Sequence, residues 1–162
     1  YDSVEMLREM EGLIDIYLAD YKYADSNLAA KYSHAADYPQ MAAGALKEMF
    51  RQVGEPEFDE RGIMKKGMII RHLLLPGCSA DSKNVLKYLY ETFGDSVFIS
   101  IMNQYTPLPH VEKYAELNRG ITEEEYEEIV DYAIELGIEN GFIQEGETAE
   151  ESFIPEFDGE GV

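Results

Sequence analysis

The chain has 162 residues, enough for one domain, and 45% of them are hydrophobic, which suits a globular protein with a buried core. Thirteen basic against 33 acidic residues leave a formal net charge of −20, a field that repels nucleic acid and anionic membrane surfaces. The single cysteine, Cys78, excludes an internal disulfide and any multi-cysteine metal site built from this chain alone, and with neither a bilayer-length apolar run nor a signal-peptide pattern the expectation is a cytoplasmic protein.

In chain order, Asp2 or Ser3 offers a cap for a short first helix carrying Val4 and Leu7,. Ile14 to Ala19 reads as the first strand, with Ile14, Ile16 and Leu18 on one face and Tyr17 and Ala19 on the other,. Both faces are apolar, which predicts a strand covered on both sides. A short helix follows over Ser26 to Ser33. Pro39 to Val53 is the clearest helix, because Ala42, Ala45, Leu46, Met49, Phe50 and Val53 recur at three-and-four spacing up to the stop at Gly54,.

GEPEFDERG reads as a loop, and GMIIRHLLLPG as a second buried strand stopped by Pro76 and Gly77,. Asp81 to Phe93 is a helix and Ser96 to Met102 a third strand. The irregular stretch NQYTPLPHVEKYAELNRG has the length of a lid or binding loop. Thr122 and Glu125 form a capping box, with a hydrophobic staple expected between Ile121 and Tyr126,. That helix stops at Gly137, before a short strand near Gly141 to Ile143. The acidic runs 123–128 and 139–160 read as solvated helix face and tail.

Four strands alternating with helices call for a parallel sheet with right-handed crossovers. Two architectures satisfy that pattern, a small open doubly wound sheet and about half of a (β/α) barrel. In either one, ligands collect at the carboxyl ends of the strands.

That end carries Asp20 and Lys22, which share a face if the strand continues through them. A carboxylate beside an ammonium can match an amino-acid headgroup, although on spacing alone a plain ion pair closing the strand is the favoured reading. Arg71 and His72 interrupt an apolar run and point to opposite faces. A buried guanidinium requires an anion, here Asp15, Asp20 or a ligand. His72 reads as a hydrogen-bonded core histidine, and no protein metal site is expected. Cys78 has no neighbour that would activate its thiol. Asn103, Gln104 and Tyr105 end the third strand with groups suited either to a base edge or to capping the loop's own backbone.

Taken in order, DIYLADYK, IIRHLLLPG and SIMNQYTP resemble the later part of radical S-adenosylmethionine proteins. Pyruvate formate-lyase activating enzymes and their uncharacterised relatives are the nearest likeness. There a D-x-K strand end precedes an R-x-x-x-x-P-G strand, matched here by Asp20 with Lys22 and by Arg71 with Pro76 and Gly77. The resemblance implies a partial (β/α) barrel over 1–145, followed by an acidic tail over 146–162. It also implies that Asp20 and Lys22 hold the methionine group of S-adenosylmethionine, that Arg71 reaches its sugar or carboxylate side, that Leu73 packs on adenine and that Gln104 lies near the adenine edge. The partner implied is a glycyl radical enzyme or another protein substrate.

The family's C-x-x-x-C-x-x-C motif, which ligates a [4Fe–4S] cluster, has no counterpart, since Cys78 stands alone,. The expectation is therefore a carboxyl-terminal portion of such an enzyme, unable to ligate the cluster itself and self-associating through the exposed edge of its first strand. The alternative is a non-catalytic acidic α/β module that binds a basic protein through its Glu-rich helix and tail.

Overall fold

The computed structural model describes residues 2–107, 109–145 and 150–153. Ser3 caps α1, Val4–Glu9, by accepting from the Met6 N–H at 3.2 Å. The chain then enters β1, Ile16–Asp20. Asp25 caps α2, Ser26–Ser33, and α3 follows as Tyr38–Val53, with Pro39 in its first turn and Gly54 at its end. Ala42, Ala45, Leu46, Met49 and Val53 of α3 are buried, and the larger of these side chains each contribute about 1.5–3 kcal/mol to holding the helix down.

β2, Glu57–Phe58, lies inside the stretch that reads as a loop. Two residues are too few to show a period. β2 pairs antiparallel with the beginning of β3, Met64–Leu73, while β1 pairs with β3 only from Gly67 onward. That difference explains why β3 starts three residues before the apolar run. α4, Ser79–Phe93, and β4, Phe98–Met102, fall where the periodicity puts them. α5, Glu123–Leu136, begins on the capping box of Thr122 and Glu125, buries Ile129 and Ala133 and stops at Gly137. β5 is Gly141–Glu145. The expected acidic tail is revised at Glu150–Phe153, which forms β6 antiparallel to β5; its other residues, 146–149 and 154–162, lie outside the described residues. Among the described residues no helix is long and apolar enough to cross a membrane.

The sheet order is β1-β3-β4-β5-β6, with β1, β3, β4 and β5 parallel and β2 paired to β3. The fold is α/β, a partial (β/α) barrel whose sheet does not close. Burial explains the choice between the two architectures. Tyr17, Ala19, Met68, Ile70, His72, Ile99 and Ile101 share one face and are all buried, and α3 packs against both β1 and β3. A doubly wound sheet would cover its other face as well.

Here that other face is open over β1. Ile16 is 40% and Leu18 56% exposed, so the expectation of a first strand buried on both sides is wrong. The alternation of Ile16 and Leu18 against Tyr17 and Ala19 is as read; what sequence lacked was whether a second layer exists. Ile69, Arg71 and Leu73 of β3 continue the open face and are only partly buried. Cover returns at β4, where Phe98 stacks on Phe142 at 5.3 Å and meets Phe58 edge-on at 5.9 Å.

Candidate functional site

The register of β1 on β3 puts Asp20 opposite Arg71. Their side chains meet on the open face, with Arg71 Nε donating to Asp20 Oδ1 at 2.7 Å. The carboxylate that an arginine in an apolar run requires is therefore Asp20. Both members keep about two-fifths of their surface, 37% for Arg71 and 43% for Asp20. Such a pair in contact with water is held by about 0–1 kcal/mol and can open to a ligand.

β1 ends at Asp20, so Lys22 is carried by the following turn and not by a continuing strand. Its backbone N–H donates to Tyr38 Oη at 2.9 Å, and Tyr38 Oη donates to the Asp20 carbonyl at 3.3 Å. The Tyr21 and Tyr23 rings on either side are 3% and 6% exposed. They sit against Tyr38 at 6.2 and 5.7 Å between centroids. With its neighbours buried, Lys22 projects outward, and among the described residues its ammonium has no hydrogen-bond or ion-pair partner. Asp20 pairs with Arg71 in place of Lys22, which leaves the lysine charge unneutralised.

Two clefts meet at Lys22. One, of about 430 Å³, has a rim of Asp20, Lys22 and Ser33 over Tyr38 and the α3 residues Ala42, Leu46 and Met49. The other, of about 260 Å³, is bounded by Lys22, Leu73, Leu75, Tyr105, Val111 and Leu117. Asp20, Lys22 and Leu73 thus border clefts. Arg71 stands between Asp20 and Ser100 on the sheet face and lines neither. Gln104 is exposed and also lines neither, its neighbour Tyr105 supplying the wall.

The wall of the smaller cleft is braced. Its 3₁₀ turns, Pro109–Val111 and Ala115–Leu117, lie in the stretch read as a lid. Tyr105 Oη donates to the Leu117 carbonyl at 2.9 Å and Tyr114 Oη to the Lys31 carbonyl at 2.6 Å. The Glu116 carboxylate receives Lys31 Nζ at 2.5 Å and Tyr32 Oη at 2.7 Å. Lys31 in particular holds the Glu116 carboxyl down at about 2. These tyrosines carry no motif; their abundance, 12 in the chain, was the available signal.

His72 is the core histidine that the sequence suggested, 1% exposed and hydrogen-bonded to the Tyr21 carbonyl and to Ser82 Oγ. Burial pushes it down to about 4, so it is neutral. Cys78 is 8% exposed, and burial pushes its thiol up, away from the thiolate a nucleophile needs,. Among the described residues no three His, Cys, Asp or Glu side chains gather as a metal would require.

Compared with curated proteins, the chain is similar to an uncharacterised protein of Methanocaldococcus jannaschii, 24% identical over 134 residues, or 82% of this chain and 35% of that protein. The chain thus spans about a third of the length of this relative. No protein-family model matches it. No solved structure matches either.

Proposed function

We propose that the chain forms part of the S-adenosylmethionine site of a radical iron–sulfur enzyme similar to pyruvate formate-lyase activating enzymes. The observation that supports this reading best is the grouping at the strand ends. Asp20 is paired with Arg71 there, and the unpaired ammonium of Lys22 shares one cleft with Asp20 and a second, more apolar cleft with Leu73. An amino-acid headgroup has one charge of each sign, and a nucleoside has a flat apolar face. The residues suit both parts.

In this reading Lys22 holds the carboxylate of the methionine group. Asp20, whose Oδ2 is not used by Arg71, takes its ammonium. Arg71 orients the Asp20 carboxylate, and can turn towards the sugar or carboxylate side when the exposed pair opens. Leu73, with Leu75 and Val111, offers aliphatic surface to adenine, while Tyr105 replaces Gln104 as the nearest polar group at that wall. The residues do not fit a [4Fe–4S] cluster, because the chain has one cysteine and its thiol is buried,. In this reading the cluster ligands would belong to another part of the enzyme, and a cluster held there would supply the electron for radical chemistry while the residues of this chain hold S-adenosylmethionine.

The alternative, an acidic module for a basic partner, has less to stand on. Within α5, Glu125 is engaged by Arg119 and the cap, and Glu128 by Lys83, so part of the acidic run is already paired within the chain.

Equilibrium dialysis with labelled S-adenosylmethionine tests the reading. Wild type should bind, and Lys22→Ala and Arg71→Ala should each weaken binding about tenfold, as the loss of a charge-assisted hydrogen bond predicts. Affinity indifferent to both substitutions, or no binding by wild type, overturns it.

A further inference from the structure

Lys22 lies in a turn whose main chain is held at successive polar atoms. The Tyr21 N–H donates to the Arg71 carbonyl at 3.0 Å and the Lys22 N–H to Tyr38 Oη at 2.9 Å. The Ala24 N–H reaches the Asp81 carboxylate at 3.2 and 3.3 Å. His72 Nδ1 lies 2.8 Å from the Tyr21 carbonyl, and His72 Nε2 lies 2.9 Å from Ser82 Oγ.

A carbonyl can only accept, so Nδ1 carries the proton, and in the neutral ring Nε2 then accepts from the Ser82 hydroxyl. Ser82 thereby fixes the tautomer that serves the Tyr21 carbonyl. His72, Ser82 and Asp81 are 1%, 2% and 6% exposed. They come from β3 and from the first turn of α4, elements that lie on the helix-covered side of the turn.

Three polar side chains in a hydrophobic layer are costly unless their hydrogen bonds are met. Here His72 and Asp81 direct those bonds to a single short segment, at its two ends. A purely architectural turn could have been secured by burial of Tyr21 and Tyr23 alone. The extra polar anchors remove the remaining freedom of the main chain between the two rings, where Lys22 is the residue left pointing out.

We propose that His72, Ser82 and Asp81 are positioning residues for Lys22. They hold the turn so that the lysine ammonium stays at the junction of the two clefts. This inference rests on the reading of Lys22 as the residue that takes the ligand carboxylate. The effect on a ligand is entropic: a pre-placed ammonium does not have to be ordered on binding.

The test uses the whole chain and two readouts, amide order parameters by ¹⁵N relaxation and S-adenosylmethionine affinity by equilibrium dialysis. His72→Leu removes the Nδ1 donor, and His72→Asn restores a donor at nearly the same place. Asp81→Ala acts at the other end of the turn and serves if His72→Leu does not fold.

In wild type, the Lys22 and Ala24 amides should resemble rigid backbone, with order parameters of about 0.85. In His72→Leu or Asp81→Ala they should fall below about 0.6, a flexible value, while Ile70 and Leu86 stay rigid. Affinity should drop about tenfold alongside, worth about 1.4 kcal/mol, and His72→Asn should recover both. Order parameters unchanged at Lys22 and Ala24, or an Asn variant no better than the Leu variant, overturns the proposal. If wild type binds no S-adenosylmethionine, the ligand reading fails, and the relaxation pattern still decides whether these residues fix the turn.

Discussion

Asp20 and Arg71 occupy facing positions on neighbouring parallel strands, and their side chains meet at 2.7 Å on the open face of the sheet. A pair so exposed is poorly suited to stabilising the fold. In a double-mutant cycle with Asp20→Asn and Arg71→Gln, urea unfolding should give a coupling of about 0–1 kcal/mol. A coupling of about 3 kcal/mol, as in buried pairs, would make it a structural clasp and weaken its assignment to a ligand.

His72 makes stability depend on pH in a particular window. Burial keeps its folded pKa at about 4, below the ordinary 6.5, so the unfolded chain takes up a proton that the folded chain refuses. The stability is fully present above about pH 6.5 and declines as pH falls towards 4, by at most about 1.4 kcal/mol per pH unit. Urea midpoints between pH 7.5 and 5 should show the decline, and His72→Asn should flatten it. Asp81, raised chiefly by burial, pulls the other way at the acid end, so the difference between the two profiles is the quantity to read. Equal slopes would mean that His72 takes up a proton as readily in the folded protein as in the unfolded chain.

Glu125 joins four donors at the start of α5. It accepts from the Thr122 N–H at 3.0 Å, from the Gly77 N–H at 2.9 Å and from both terminal nitrogens of Arg119 at 2.8 Å. Arg119 above all holds its carboxyl down at about 2. Glu125→Ala should cost about 1–2 kcal/mol, the range of a lost cap. Glu125→Gln, which keeps an acceptor, should cost less, and equal melting temperatures for the two variants would contradict this.

Gly67 opens the paired stretch of β1 and β3 with φ at +142°, and a Cβ there would lie 3.0 Å from Pro56 Cα. The obstacle is backbone and cannot swing away. Gly67→Ala should destabilise by about 1–3 kcal/mol, whereas Gly120→Ala, with nothing within 4 Å, should be nearly neutral. Thermal melts of the two variants decide it.

The open face of β1 should drive self-association. Ile16 and Leu18 lie side by side on an edge strand, and apolar edges pair readily. Sedimentation should give a mass that rises with concentration for wild type and stays monomeric for Leu18→Lys. A monomer throughout for wild type contradicts the expectation.

Much of this fold was legible because its periods are strong. The stripe of α3, the Thr122 box and the apolar run ending at Pro76 each have one physical interpretation. The alternation of β1 was equally clear, yet Ile16 and Leu18 were assigned cover they lack, since apolar character does not say whether a second layer exists. β2 and β6 escaped because two to four residues carry no period. At the site, the demand of Arg71 for an anion identified Asp20 as one candidate. The turn holding Lys22 was hidden, for it depends on Tyr38, Asp81 and Ser82, which are distant in sequence and carry no motif.

The Glu116 tether gives the smaller cleft a direction of entry. Glu116, Tyr114 and Tyr105 tie the described part of its outer wall to α2 and to itself. A ligand of the proposed site would reach Leu73 and Lys22 across the open face of the sheet, so whatever comes to cover that face would also control the door.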